Sequence, residues 1–175
     1  MTRSGLYSDG ARRFFAYWDG LPKDGLLPDL SSVDPDDIVA LMPTVTILEY
    51  VSPERIDMRL VGPVVREVLG FDPTGQNYLE LQAAEAKALY LRLVDVQLSL
   101  PCGRRNILKM RHADGVITRV EAVTLPMRYK LFNRSVVLSY FGTLDIIGFG
   151  DGGYQVLDFE DTEWIDIGAG IPDWG

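Results

Sequence analysis

The chain has 175 residues, 47% of them hydrophobic and 24% charged, enough for one domain with a real core. Its formal net charge of -8 and the absence of a basic stripe argue against nucleic acid, because an acidic surface repels phosphate backbones. The single cysteine, Cys102, excludes an intrachain disulfide and a multi-cysteine metal site. No run approaches the roughly 18 apolar residues of a membrane span, and the N-terminus lacks the apolar core of a signal peptide. The expectation is a cytoplasmic protein without membrane insertion.

Taken in order, Ser8 can cap a helix carried by Ala11 to Trp18, with Gly20 as its terminator. This helix is unusually aromatic, and Phe14 and Trp18 share a face. A Gly- and Pro-dense loop follows. Asp34 and Pro35 then open a second short helix over Pro35 to Leu41, with acidic side chains near the positive end of its dipole.

Thr44 to Val51 is β-branched and apolar and reads as a strand. After a Ser52-Pro53-Glu54 turn, Arg55 to Val61 alternates, with Ile56, Met58 and Leu60 on one face, so the two form a hairpin. Pro63 to Leu69 reads as a short helix capped by Gly70, followed by a loop over Phe71 to Asn77. Gln82 to Leu98 is the longest helix signal, with Ala86, Leu89, Tyr90, Leu93, Val94 and Gln97 along one stripe.

Three strands follow: Asn106 to Arg111, Val116 to Leu125 and Arg134 to Leu144. Asp114-Gly115 between the first two is a strong hairpin signal. The basic residues Arg104, Arg105, Lys109 and Arg111 read as the wet face of a strand. Gly148 to Gly153 reads as a flexible break before an acidic tail. That tail holds Phe159, Trp164 and Trp174, and part of it is expected to dock on the domain.

This order of elements resembles a PAS domain. The lead-in carries Tyr17-Trp18, Leu21-Pro22, Val33-Asp34-Pro35 and Leu41-Met42-Pro43. Arg59-Leu60-Val61-Gly62, Gly70-Phe71-Asp72-Pro73-Thr74-Gly75, and Glu121 with Leu125-Pro126-Met127 complete the likeness. Together these resemble a family of short, stand-alone bacterial PAS proteins; Pro63, Phe71 and Pro73 depart from its usual signature. The resemblance spans roughly Ala11 to Asp145. It implies an α+β fold: a five-stranded antiparallel sheet of order 2-1-5-4-3, helices over one face, and N-terminal flanking helices. The expected organisation is a helical lead-in over 1–43, a PAS-like core over 44–145 and an acidic tail over 146–175. The resemblance also implies a sensory or regulatory module. A protein with no appended output domain would signal by contacting a separate protein.

The residues offer little catalytic chemistry. His112, the sole histidine, sits beside the Asp114-Gly115 turn and reads as a surface turn residue. The long helix has no histidine, which argues against haem. Cys102 follows that helix instead of preceding it, which argues against flavin photochemistry. Gly148 to Gly153 fits Gly-x-Gly-x-x-Gly, but the acidic stretch after it is not helical and would repel phosphate. Glu160, Asp161 and Glu163 lack calcium-loop spacing. No metal site and no enzyme activity are expected.

Two candidate sites stand out. A cup could be lined by Met58, Leu60, Tyr78, Leu89, Tyr90, Leu93, Val120, Ala122, Leu138 and Tyr140, taking a small apolar or amphipathic ligand. Phe14, Phe15 and Trp18 could form a homodimer interface. The competing reading is an interaction adaptor with a filled core.

Overall fold

The computed structural model describes residues 5–82 and 84–173. Helix α1 (Asp9–Gly20) starts at Ser8, whose hydroxyl accepts from the Ala11 N–H. A minimal hairpin, β1 (Lys23–Asp24) and β2 (Leu27–Pro28), and short 3₁₀ turns lead to the sheet. The helix expected over Pro35 to Leu41 is only the 3₁₀ turn Pro35–Ile38, with another at Met42–Thr44. Asp34 does cap the first turn, accepting from the Asp36 N–H.

The main sheet contains β3 (Val45–Ser52), β4 (Arg55–Val61), β5 (Gly103–Arg111), β6 (Val116–Tyr129), β7 (Arg134–Phe149) and β8 (Gln155–Ile165). Its spatial order is β4-β3-β7-β6-β5-β8, and every pairing is antiparallel. The sheet therefore has six strands where five were expected. The sixth comes from the acidic tail, paired with β5 from Gly103↔Ile165 to Arg111↔Gln155. Trp174 lies outside the described residues.

Helices cover both faces instead of one. α1 lies on one face, where Phe14, Phe15 and Trp18 pack with Val123, Leu125, Met127 and Leu138. Trp18 Nε1 donates to the Pro126 carbonyl at 3.1 Å, which satisfies the indole inside the core. On the other face lie α2 (Pro63–Leu69) and α3 (Ala84–Ser99). The start expected for α3 at Gln82 includes Ala83, outside the described residues.

Phe14, Phe15 and Trp18 are all buried in this single chain. The helix packs its aromatics on its own sheet, with the Phe14 ring stacked on Tyr140 at 5.7 Å. They are not available as a dimer interface. Buried Glu121 fastens the start of this helix: its two carboxylate oxygens accept from the backbone N–H groups of Tyr7 and Ser8 at 2.7 and 2.8 Å. A carboxylate at a helix N-terminus also complements the dipole.

Three strands run further than their sequence signals. β6 continues past Pro126, where no proline was expected inside a strand. Its pairing with β5 ends at Arg104↔Thr124, so Pro126 lies past the end of that ladder, where a missing N–H is tolerated, before Arg128 bridges to Asp29. β7 continues to Phe149, and β5 starts at Gly103 instead of Asn106.

Two glycines hold α2 in place. A Cβ at Gly62 would lie 2.3 to 2.5 Å from backbone atoms of Met42 and Pro43. Gly70 takes φ 82 and closes the helix through its N–H to Arg66 O and Glu67 O.

Candidate functional site

The space between the sheet and the α2–α3 layer is a cavity of about 100 Å³. Its floor follows from strand alternation. Arg104, Asn106, Leu108 and Met110 of β5 face it, as do Val120, Ala122 and Thr124 of β6, and Ser139, Phe141 and Thr143 of β7. Val64, Val65, Val68 and Leu69 of α2 roof one end. Tyr78, with Ala86 and Tyr90 at the N-terminal half of α3, walls the other. The tail strand adds Val156 and Phe159, and Tyr154 precedes it.

Five of the ten residues expected in the cup line it: Met58, Tyr78, Tyr90, Val120 and Ala122. Leu138 and Tyr140 do not. They alternate to the α1 face, and their neighbours Ser139 and Phe141 face the cavity instead. Leu60 is displaced by a β-bulge. Ile47 pairs with Leu60 and Leu48 with Met58, leaving Arg59 as the extra residue and reversing the alternation. Leu60 thus joins the α1-side core, while Met58 and Val61 stay on the cavity side. Leu89 and Leu93 are not among the lining residues; α3 presents Ala86 and Tyr90 there.

Sequence reasoning also missed the polar lining residues, four of which form one row across the floor. Arg104 is opposite Thr124, Thr124 opposite Ser139, and Ser139 opposite Thr46. Ser139 Oγ donates to Thr124 Oγ1 at 3.2 Å. Gln97 Nε2 donates to the Cys102 carbonyl at 3.0 Å. Thr46 Oγ1, Gln97 Oε1 and Arg104 Nη1 are buried without a hydrogen-bond partner. The opposite end of the cavity, around Leu108, Met110, Val120 and Phe159, is apolar. The site is therefore amphipathic along the strand direction.

Arg104 is only 2% exposed and has no carboxylate partner among the described residues. Its guanidinium lies 5.9 Å from the ring centres of both Tyr90 and Trp164. With its amide oriented to suit its neighbours, Asn106 accepts from Arg104 Nε at 3.3 Å and donates to Thr162 Oγ1 at 3.1 Å. Burial holds the Arg104 pKa below the ordinary arginine value, opposed by Tyr90, Tyr78 and Cys102. Burial likewise pushes Tyr90 and Tyr154 up to about 12 and Tyr78 well above the usual phenol value. All three phenols therefore stay neutral hydroxyl donors at physiological pH.

Arg105, one residue on, faces the other way. It was expected on a wet strand face but is 3% exposed. Its Nη2 donates to Asp161 at 2.5 Å and Glu163 at 2.8 Å. Arg119 similarly takes Glu160 at 2.7 Å and Asp145 at 3.1 Å. The tail carboxylates are thus charge partners of the sheet, not a solvated run. Gly148 to Gly153 is likewise held: Gly150 N–H donates to Gly115 O, and Arg111 Nε donates to Gly153 O at 3.0 Å.

The other reactive groups are occupied structurally. Cys102 is buried, and desolvation raises its pKa to about 11, so the thiolate is suppressed. His112 is half-buried, not a free surface residue, and its Nε2 lies 2.8 Å from Thr118 Oγ1. Among the described residues, no group of three or more His, Cys, Asp or Glu side chains is placed to hold a metal.

An α+β domain with an antiparallel sheet and a cavity under its helices is compatible with a PAS fold. Residues 7–141 match a family model described as PAS domain, and the chain belongs to that family. No curated protein matches it. Membership marks the chain as a sensory or regulatory module in general, of a kind that is typically non-catalytic. No helix among the described residues is long and apolar enough to cross a membrane.

Proposed function

We propose that the chain is a PAS sensory module that holds a small amphipathic ligand in the cavity between the sheet and α2–α3, and that it acts without catalysis. The observation that carries this reading is the cavity itself, apolar at one end and lined at the other by buried polar groups lacking partners. A filled core would leave neither the space nor the orphaned hydrogen-bonding groups.

The signal then leaves through contacts with another protein, and β7 is the route. Phe141 and Thr143 touch the cavity. Beyond Tyr140, β7 has no strand partner on its β3 side among the described residues, and Ile146, Ile147 and Phe149 are exposed there. An open strand edge with apolar side chains is a usual protein-binding feature.

The test is a thermal-unfolding screen against a library of small amphipathic molecules, run on the wild type and on Ala122→Leu. Ala122 lies on the cavity floor, and the larger side chain fills it at a cost of about 1–3 kcal/mol. Compounds that raise the wild-type unfolding temperature should leave the variant unaffected. Equal shifts in both proteins would contradict the cavity as the binding place.

A further inference from the structure

The proposed function leaves the ligand's chemistry open, and Arg104, the one charged group among the described lining residues, narrows it. We propose that the ligand is a short-chain carboxylate, bound with its carboxylate on Arg104 and its apolar chain running along the sheet toward Met110. The inference rests on the proposed function, since it names the ligand class of that same cavity.

Three observations carry it. First, Arg104 is a buried cation on the cavity floor with no acidic partner among the described residues. Isolated buried charges are costly, and those found in proteins are normally paired. Its neighbour Arg105 shows the ordinary solution, taking Asp161 and Glu163. Arg104 has instead two aromatic rings, an Asn106 oxygen on Nε, and an unsatisfied Nη1. A planar guanidinium with a spare donor matches a carboxylate.

Second, a hydroxyl group stands next to it. Thr124 is the cross-strand partner of Arg104 and also lines the cavity, so it can share in binding an anion held there.

Third, the size and polarity of the remaining space set the rest of the molecule. At about 100 Å³ the cavity is well above the room that one ordered water needs. It accommodates an apolar chain of a few carbons beside the anion. Beyond Asn106 the floor continues as Leu108 and Met110 on β5 and Val120 on β6, under Val68 of α2. An apolar body is favoured there.

The experiment is calorimetric titration of the full chain with butanoate, butan-1-ol and butanamide, which share length and differ in charge. Butanoate is expected to bind at least tenfold more tightly than either neutral compound. In Arg104→Met, butanoate should lose that advantage while the neutral compounds keep their affinity. Equal or tighter binding of the neutral compounds by the wild type would overturn the anion assignment and leave the small-ligand reading intact. Absence of binding by all three, together with an unresponsive library screen, would overturn both. The wild-type comparison alone decides the assignment should Arg104→Met fail to fold.

Discussion

Arg104 and Trp164 stand opposite each other in the β5–β8 pairing, with the guanidinium 5.9 Å from the indole ring centre. The cation that ends the cavity row thus packs against a side chain of the tail. Strand β8 is therefore part of the site: it supplies Val156 and Phe159 to the apolar end and Trp164 beside the polar end. Whatever loosens β8 opens the cavity wall.

The attachment of β8 depends on Arg105 in an asymmetric way. Removing the partners with Asp161→Asn and Glu163→Gln leaves a buried guanidinium unpaired, whereas Arg105→Met removes the charge and keeps much of the apolar stem. The double variant should lose about 1–3 kcal/mol by urea unfolding, discounted because both carboxylates are half-exposed. Arg105→Met should lose less. Amide exchange over residues 155–165 should accelerate more in the double variant, and the reverse ranking would contradict the account.

Gly62 makes a steric prediction. Its missing Cβ is what lets the end of β4 approach the backbone of Met42 and Pro43. The blocking atoms are main chain, so they cannot swing aside as a side chain would. Gly62→Ala should cost about 1–3 kcal/mol and displace the start of α2, which unfolding curves and amide chemical shifts over 63–69 would report. Wild-type stability and shifts would refute it.

His112 predicts a pH dependence. Burial holds its pKa below the ordinary 6.5, with Asp114 pulling the other way. Between that lowered value and 6.5 the unfolded chain binds more protons than the folded one, so stability falls as pH drops through this window and levels off below it. Urea unfolding at pH 7 and at successively lower values should show the slope in the wild type and lose it in His112→Gln. An unchanged slope would assign it to other groups.

Much of the fold was readable because local signals agreed with the final structure. Asp114-Gly115 makes the β5–β6 turn, Gly70 caps α2, and Arg55 to Val61 is a strand with a helix after its glycine. The site was only half readable, for identifiable reasons. Period-2 alternation sets which residues share a face but not which face is the cavity, so Leu138 and Tyr140 were placed where Ser139 and Phe141 lie. A single bulge at Arg59 displaced Leu60. Arg104 and Arg105 looked solvated because charge usually means water. Only the arrival of β8, which brings two carboxylates to Arg105 and an indole to Arg104, buries them. A long-range pairing of this kind leaves no local trace, although the acidic run Glu160 to Glu163 opposite a basic strand was a signal that charge complementarity could have used.

The central claim is that the cavity holds a small molecule, and native mass spectrometry of freshly purified protein tests it most directly. The account predicts a species heavier than the polypeptide by a small bound mass, absent from Ala122→Leu. Bare polypeptide in both proteins, with an unfolding temperature indifferent to every library compound, would contradict it.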